Sequence, residues 1–230
     1  MLVSVIVPVL DEDAVLASTL DDLANLAGTF EVLVADGGSR DGTLALARAH
    51  PLRPRILTRG SGPTCRGAQL NVAAAEASGD LLLFLHADTR LPAEAHAALA
   101  AAHADPAIVG GNFTLAFDGR DALSRVLGRL YAGLRRLGIY YGDSGVFVRP
   151  EVFAALGGFR DLPIMDDYDF VRRLERAGKT VCLPGPAVTS DRRWRRDGAA
   201  RTVATWTAIQ LLYMGGVAPA RLARLYNPAR

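Results

Sequence analysis

A histidine and an aspartate close the most apolar run of this sequence. The stretch LLLFLHADTRLP, residues 81–92, passes from leucines directly into His86 and Asp88. Residues two apart on an extended strand project from the same face, so this imidazole and carboxylate would converge on one point. A carboxylate suits Mg²⁺ or Mn²⁺, and an imidazole tolerates Mn²⁺ better than Mg²⁺. The stretch predicts either a metal site at a strand end or a plain strand end where Asp88 or Thr89 caps the next helix.

Two adjacent carboxylates precede a strongly amphipathic segment later in the chain. Asp166 and Asp167 lie in PIMDDYDF, residues 163–170, and VRRLERAG follows directly. Adjacent like charges and partial burial raise the pKa of a carboxylate, which suits a general base. Acids in the first turn of a helix are also favoured by the helix dipole alone. The pair therefore predicts either a base beside a helix cap or an ordinary acidic first turn.

Loops of small and polar residues follow the first two apolar runs, PVLDE at residues 8–12 and ADGGS at 35–39. Asp36 could accept a hydrogen bond from a nucleobase N–H or a ribose hydroxyl, and Gly38 would let the backbone approach a ligand. The alternative is a turn that Asp36 caps with its own side chain. A third loop able to approach a ligand contains Gly142, Asp143 and Ser144.

Arginine is concentrated near the end of the chain. Residues 189–230 carry eight arginines against two aspartates, a net charge of about +6, so with a total of +2 the rest carries about −4. Within RRWRR, residues 192–196, arginines beside an aromatic ring could bind a diphosphate through bidentate hydrogen bonds. A phospholipid surface or a nucleic acid is the competing partner, but the aromatic residues are too sparse to favour nucleic acid.

The elements that must position these residues follow from the alternation of apolar runs and helical patterns. Strands are predicted at residues 3–10, 30–36, 53–58 and 81–88, with helices between them. Gly79 is predicted to end the helix that starts near Cys65, and Pro92 to start the one after the fourth strand. This alternation favours a mostly parallel sheet buried on both faces. Polar residues cluster after the carboxyl ends of the first, second and fourth strands, where open α/β sheets bind ligands.

The remainder of the sequence limits the class of protein. Half of the 230 residues are hydrophobic, so the chain can bury a core. Two cysteines give neither a disulfide framework nor metal-ligand spacing, and no signal peptide is recognised at the start, which favours a cytoplasmic protein. Residues 203–220 are uncharged, but a glycine pair and Pro219 fit a packed helix and turn, or a helix at a membrane surface or dimer contact, better than a membrane span. Past about Gly110, NFTLAF and GVFVRP predict strands of a mixed second half.

The order of these motifs resembles that of the family-2 glycosyltransferases of GT-A fold. PVLDE, ADGGSRDGT, CRGAQLN, FLHADTRLP, GDSGVFV, GGF and MDDYDF follow one another over residues 3–178. More narrowly, RGAQLN, LHADT, GDSGVFVR, GGFRDLPIMDD and TSDRRW resemble the radical-SAM/selenodomain-associated transferase 2 subgroup, whose members are sometimes labelled arsenosugar-biosynthesis glycosyltransferases. The resemblance implies a three-layer α/β/α sandwich in residues 1–188. Residues 1–110 would bind the nucleotide, 111–188 the acceptor, and 189–230 would form a basic helical segment packed on the domain.

The resemblance also implies an inverting transfer from a nucleotide diphosphate sugar, most often UDP-linked, and a role for each matching residue. Asp167 would be the base, with Asp166 beside it, and Asp88 would hold Mn²⁺ or Mg²⁺ with His86 as a second candidate ligand. The acceptor would meet the loop of Gly142, Asp143 and Ser144. The nucleotide sugar would contact Pro8, Leu10, Glu12, Asp36, Gly38, Arg66, Gly67, Asn71, Ala87, Asp88, Arg193 and Trp194.

Two departures from the family pattern bear on this assignment. The metal motif is usually Asp-x-Asp, and here His86 stands at its first position; the acidic pair is commonly Glu-Asp, and here it is Asp166-Asp167. The glutamine that precedes Arg-Trp in processive members is missing. The expected partners are a donor and a small-molecule or lipid acceptor, without nucleic acid. Peripheral contact of 189–230 with the inner face of a membrane and a homodimer stay open, as do a nucleotidyltransferase and a non-catalytic nucleotide-binding protein.

Overall fold

Short apolar segments form the strands of one central sheet. In the computed structural model, residues 1–58, 65–119 and 121–226 are described. The strands are β1 Val3–Val9, β2 Phe30–Asp36, β3 Arg55–Thr58, β4 Leu81–Phe84, β5 Thr89–Arg90, β6 Ile108–Phe117, β7 Val146–Val148 and β8 Lys179–Thr189. The helices are α1 Asp13–Ala24, α2 Thr43–Ala49, α3 Arg66–Ala75, α4 Ala95–Ala104, α5 Ala122–Arg135, α6 Pro150–Ala155, α7 Asp166–Ala177, α8 Arg192–Asp197, α9 Ala199–Met214 and α10 Pro219–Leu222.

The sheet is parallel in its first half and mixed in its second. Its order is β3-β2-β1-β4-β7-β6-β8-β5. The neighbours among β3, β2, β1 and β4 run parallel, as do β6 and β8, whereas β7 is antiparallel to both of its neighbours and β5 to β8. The predicted α/β class with a mostly parallel sheet and a mixed second half is confirmed.

Helices cover both faces of this sheet, and each face has its own core. On one face α1 and α4 pack Leu16 and Leu99 against strand residues such as Val5. On the other, α3, α6 and α7 pack Leu70, Phe153 and Phe170 around Phe84. Both sets of strand side chains are excluded from water, which explains why the strands are continuous apolar runs rather than alternating ones.

Strand β4 is shorter than predicted. It ends at Phe84, and residues 86–89 form a turn in which the Thr89 N–H donates to the His86 carbonyl oxygen at 3.1 Å. The chain has to leave the middle of the sheet there, because Thr89 and Arg90 pair with the end of β8 at the edge. His86 and Asp88 are therefore not on one face of a strand, and that part of the prediction is wrong.

Helix boundaries differ from the prediction at two places. Helix α3 ends at Ala75 rather than near Gly79. Gly79 instead lies against β1, where its N–H donates to Ser4 Oγ at 2.8 Å and a Cβ would approach that oxygen to 2.5 Å. Helix α4 begins at Ala95, one turn after Pro92. Both differences arise where the chain turns beside a strand. Local helix propensity carries no information about the neighbouring strand.

Two strands were not predicted. Strand β8 contains Pro184, Gly185 and Pro186, which normally interrupt a strand. The register with β6 shifts between Phe113 and Thr114, so that two residues of β8 bulge out without breaking the pairing. Strand β5 has only two residues, which is too short to show a pattern.

The uncharged segment 203–220 forms most of α9, a turn at Gly215 and Gly216, and the first two residues of α10; the packed-helix and the surface-helix interpretations both predict a helix there. Ile209 is buried, whereas Leu211 and Met214 are exposed. No helix in the described part of the chain is long and apolar enough to cross a membrane.

The pairing of β6 with β8 depends on Gly111. A Cβ at Gly111 would lie 1.9 Å from the Val181 backbone oxygen, so Gly111→Ala should separate these strands and lower the free energy of unfolding by about 1–3 kcal/mol. Gly133 in α5 has no atom within 4 Å of an added Cβ, so Gly133→Ala should raise the free energy of unfolding by about 0.5–1 kcal/mol. Urea denaturation measures both; equal effects of the two alanines would contradict this account of the strand pairing.

Candidate active site

Arg66, the first residue of α3, joins three separate parts of the chain. Its guanidinium donates to both carboxylate oxygens of Asp166, at 2.6 and 3.0 Å, and lies 3.3 Å from Asp167 Oδ2. A third nitrogen lies 3.2 Å from His86 Nε2. Although burial lowers the pKa of Arg66, the carboxylates of Asp166 and Asp167 raise it above its usual value. The two predicted catalytic aspartates and the predicted histidine thus meet at one cation.

The contact with Arg66 fixes the tautomer of His86. Arginine only donates hydrogen bonds, so Nε2 of His86 must accept and the ring proton must be on Nδ1. Burial, followed by the positive charge of Arg66, lowers the pKa of His86. His86 is therefore a neutral imidazole at neutral pH, and its Nε2 lone pair is already used within the protein.

Asp167 is ionised and held by backbone donors. The Gly142 N–H donates to Oδ2 at 2.9 Å, and the Tyr168 N–H donates to Oδ1 at 2.8 Å. Burial raises the pKa of Asp167, but Arg66 and the Gly142 N–H outweigh it and lower the pKa. The sequence-based expectation of a raised pKa is therefore wrong for this residue. Met165 precedes the pair in the left-handed region, with φ of 65°, and this bend directs the chain into α7.

The predicted acceptor loop lies beside Asp167 as a 3₁₀ turn, Gly142–Ser144. A Cβ at Gly142 would lie 2.7 Å from His86 Nε2, so only glycine allows this approach. Asp143 Oδ1 is buried without a hydrogen-bond partner among the described residues. Burial, then the charges of Asp167 and Asp88, raise the pKa of Asp143 to about 7. The Ser144 hydroxyl donates to the Tyr141 carbonyl oxygen at 2.6 Å and closes the turn.

A second arginine, Arg192, joins Asp88 to Glu12. It lies 3.1 Å from Asp88 Oδ2, and one of its nitrogens donates to both oxygens of Glu12, at 3.0 and 3.2 Å. Burial raises the pKa of Glu12, although Arg192 opposes this. The sequence-based choice within RRWRR was Arg193 and Trp194, whose side chains lie outside the described residues. Composition could not choose between adjacent arginines; a backbone hydrogen bond from the Ser190 N–H to the Asp88 carbonyl oxygen, 3.2 Å, brings the segment that carries Arg192 close to Asp88.

The two loops that were predicted to contact a nucleotide follow the ends of β1 and β2. Pro8 pairs with Ala35, and Leu10 follows β1 directly. Asp36 accepts hydrogen bonds from the backbone N–H groups of Gly38 and Ser39, both at 3.0 Å. The structure therefore contains the self-capped turn that was the simpler interpretation of Asp36. Recognition of a base by Asp36 stays a prediction.

Three other predicted binding residues make contacts within the protein. Gly67 lies against residues 159–160, where a Cβ would be 2.8 Å from the Arg160 carbonyl oxygen. The Asn71 amide binds both backbone groups of Phe159, each at 2.8 Å. Ala87 is buried and its carbonyl oxygen accepts from the Thr19 hydroxyl. The contacts of Gly67 and Asn71 attach α3 to the loop before α7, and that of Ala87 attaches its turn to α1. A role of these residues in binding nucleotide stays a prediction.

The residues present fit a divalent cation that is held mainly by a phosphate ligand. Among residues 1–58, 65–119 and 121–226, no group of three or more His, Cys, Asp or Glu residues could hold a metal ion. Mg²⁺ typically needs only one or two carboxylates when substrate phosphates and water complete its shell. Asp88 supplies one carboxylate. The buried Asp143 Oδ1 has no hydrogen-bond partner among the described residues, and Asp143 is close enough to Asp88 for the charge of Asp88 to raise its pKa. A metal at Asp88 would compete with Arg192 for the same oxygen.

Comparison with known proteins places this geometry in context. The family model described as "Glycosyl transferase family 2" matches residues 4–157. No curated protein sequence matches the chain.

Solved structures resemble the chain over most of its length at low sequence identity. A mannosyltransferase from Pyrobaculum calidifontis in complex with GDP-Man and Mn²⁺ is 22% identical, with a TM-score of 0.70 over 97% of this chain and 68% of that one. TarS of S. aureus in complex with UDP-GlcNAc is 19% identical, with a TM-score of 0.66 over 83% of this chain and 59% of that one. Glucosyl-3-phosphoglycerate synthase of Mycobacterium tuberculosis with Mn²⁺, UDP and phosphoglyceric acid is 20% identical, with a TM-score of 0.61 over 88% and 76%. The chain spans 35% of the longest TarS chain matched and 59% of the TarS 1–349 chain. These likenesses identify the fold as GT-A.

The Arg66–Asp166 pair should stabilise the fold. Arg66→Gln leaves the buried Asp166 carboxylate without a counter-ion and should lower the free energy of unfolding by about 3 kcal/mol. Arg160→Gln removes an ion pair with Asp169 from a mostly exposed side chain, while Arg173 still holds that aspartate, and should cost less than about 1 kcal/mol. Adding Asp166→Asn to Arg66→Gln should recover part of the loss. Chemical denaturation of the wild type, Arg66→Gln, Asp166→Asn and the double variant measures this cycle, with Arg160→Gln as the control; additive losses would show that the pair is not coupled.

The raised pKa of Asp143 should make stability depend on pH. Between its ordinary value of 3.8 and about 7, the folded chain keeps a proton that the unfolded chain releases, so stability falls as pH rises through this window. The slope is at most about 1.4 kcal/mol per pH unit, and it vanishes above the folded-state pKa. Asp143→Asn should remove this contribution. Chemical denaturation of the wild type and the variant between pH 3.8 and about 7 measures this contribution as a difference in free energy of unfolding. A difference that does not change with pH would contradict the assigned pKa.

Proposed function

This chain belongs to glycosyl transferase family 2, and we propose that it transfers a sugar, with inversion, from a nucleotide diphosphate sugar to an acceptor hydroxyl. The observation that carries the proposal is an ionised Asp167 at the same strand-end site as Asp88 and the nucleotide loops. A carboxylate base and a site for a departing diphosphate are the two parts that such a transfer requires.

We assign the general base to Asp167. Its proton affinity is reduced by Arg66 and by two backbone N–H groups, so it is charged and able to accept a proton at neutral pH. Asp166 is not equivalent, because its two oxygens are occupied by the bidentate contact with Arg66. The acceptor oxygen forms the new bond to the anomeric carbon from the face opposite the nucleotide, and its proton passes to Asp167.

The leaving diphosphate is assigned to the other side of the site. Asp88 would hold a divalent ion there, Mn²⁺ or Mg²⁺, which as a Lewis acid neutralises negative charge that develops on the diphosphate. Arg192 lies at the same carboxylate and provides a fixed positive charge close by. We retain Arg193 and Trp194 as candidates for diphosphate contact, and Glu12, already bound to Arg192, as part of the nucleotide loop.

The donor is proposed to be UDP-linked. Two of the similar structures contain UDP-GlcNAc or UDP, and one contains GDP-Man. Asp36 is the residue proposed to read the base, through oxygens that also cap its turn. The narrower subgroup, with its arsenosugar label, stays a prediction from motif resemblance, since the matches support the family and the fold only.

The remaining assignments concern organisation and place. We propose a catalytic domain in residues 1–188, with a nucleotide half 1–110 and an acceptor half 111–188, followed by the basic segment 189–230. We keep three further hypotheses: a cytoplasmic location, peripheral membrane contact through residues 189–230, and a homodimer. The exposed Leu211 and Met214 in α9 are the residues to which a membrane contact would apply first.

Two aspartate variants should separate donor binding from chemistry. Asp88→Asn should remove the Mn²⁺-dependent part of UDP binding, because it removes the carboxylate assigned to the ion. Asp167→Asn should keep UDP binding and lose about 10²–10⁴-fold in turnover, because it removes the base. Calorimetry with UDP, with and without Mn²⁺, measures binding, and UDP release from a panel of sugar nucleotides measures turnover.

Glu151→Gln, on the exposed side of α6, is the control and should change neither quantity. Near wild-type turnover of Asp167→Asn on a productive donor and acceptor pair would refute the base assignment. UDP binding without turnover of any sugar nucleotide by the wild type would support a non-catalytic nucleotide-binding protein instead.

A further inference from the structure

A cavity of about 400 Å³ lies between α5 and the strands β6 and β8. Among the described side chains that were given a role above, Ser144 is the one that lines it. Its volume falls within the roughly 300–1,000 Å³ that is typical of ligand pockets. Most of its wall comes from residues 112–141, which belong to the second half of the chain, beyond the nucleotide loops.

The wall of this cavity combines flat rings with neutral hydrogen-bonding groups. Tyr131 and Tyr141 contribute the rings, with centroids 5.8 Å apart, and Thr114 and Thr180 also line the cavity; the Thr180 hydroxyl donates to Glu175 and accepts from Arg135. Tyr141 is held in place, since its ring stacks on Tyr168 at 5.8 Å and its hydroxyl donates to the Gln210 amide oxygen at 3.0 Å. Such rings contact the C–H faces of a hydroxylated ligand while the polar groups bind its hydroxyls.

The charge of the wall is positive. Arg135 and Arg136 both line the cavity, and none of the other described lining residues carries a carboxylate. The charge of Arg135 is balanced, because Glu175 lies 3.4 Å away and Asn112 accepts a hydrogen bond from its Nε. Arg136 is exposed and makes no ion pair with a described residue. This composition disfavours a cationic ligand and provides one arginine for an anionic group.

The cavity and the proposed base share one turn of chain. Tyr141 and Ser144 line the cavity, and Gly142, which lies between them, donates its N–H to Asp167 at 2.9 Å. The turn packs against both β6 and β8, the strands that form the floor of the cavity. Asp143, in the same turn, has a buried carboxylate oxygen without a partner among the described residues. A molecule in the cavity would thus have its inner end beside this turn.

We propose that this cavity binds the acceptor, and that the acceptor is a compact hydroxylated molecule with one anionic group. The anionic group lies at Arg136, and a hydroxyl at the other end faces the turn Gly142–Ser144. This inference rests on the proposed function, since it takes Asp167 as the base. The hydroxyl oxygen forms the bond to the anomeric carbon, the bond from that carbon to the diphosphate oxygen breaks with its electron pair on the diphosphate, and the hydroxyl proton passes to Asp167.

Matched pairs of variants on one helix can test this assignment. Ala132 lines the cavity from α5, so Ala132→Trp should fill it; Ala122→Trp places the same side chain on the same helix outside the cavity. Arg136→Gln removes the proposed anion contact, and Arg129→Gln removes an exposed arginine of α5 outside the cavity. None of the four residues belongs to the proposed catalytic machinery.

The probes are two pairs of compounds that differ in one phosphate: glucose with glucose 6-phosphate, and glycerol with glycerol 3-phosphate. Ligand-observed NMR titration gives the Kd of each for the wild type and the four variants. We expect an anionic member to bind more tightly than its neutral partner, Ala132→Trp to abolish that binding, and Arg136→Gln to weaken it about tenfold. Ala122→Trp and Arg129→Gln should leave the Kd unchanged.

Calorimetry with UDP on the same proteins separates the possible failures. If Ala132→Trp binds UDP as the wild type does, it is folded and its donor site is intact. Three results would overturn the cavity assignment while the proposed function stands. They are no binding of either anionic probe to the wild type, tighter binding of the neutral probes, and unchanged binding by Ala132→Trp. If the wild type does not bind UDP, the proposed function fails on its own measurement.

Discussion

The bidentate contact between Arg66 and Asp166 is the interaction on which the site depends. Asp166 is almost fully buried, and a buried carboxylate requires a positioned counter-ion. Because the two residues are 100 positions apart in sequence, satisfying that charge attaches α3 of the first half to α7 of the second. Gly67, the next residue along, permits the same approach by leaving room for the Arg160 backbone. Asp167 and His86 are then placed by contacts to the same guanidinium.

Around this pair, residues of one type acquire different chemical states from their surroundings. Asp166 is committed to an ion pair, Asp167 is kept ionised by Arg66 and backbone N–H groups, and Asp143 is shifted towards the protonated form by burial and neighbouring carboxylates. Environments that move the pKa values of nearby carboxyl groups apart are the usual basis for assigning acid and base roles. Here they support giving the proton transfer to Asp167 and the anchoring role to Asp166.

The family match covers only part of the site. The matched region ends at residue 157, whereas Asp166, Asp167 and Arg192 all lie beyond it. The matched region carries Arg66, His86 and Asp88, and the part beyond it carries Arg192 and Asp167, which we propose as the base. Specificity in such folds depends on loops and appended elements rather than on the common sheet.

The sequence by itself determined the first four strands, the α/β class, the two-sided core and the set of loops that meet at one edge, because periodicity and strand-end polarity are local properties. It also indicated the acidic pair before α7 and the loop Gly142–Ser144. Only the tertiary structure decided that His86 and Asp88 lie in a turn, that Asp88 pairs with Arg192, and that β8 continues past its prolines. It alone decided which aspartate anchors Arg66 and which remains a candidate base. Burial, counter-ions and strand partners come from residues distant in sequence, and these contacts set charge states and chain direction more strongly than any local pattern.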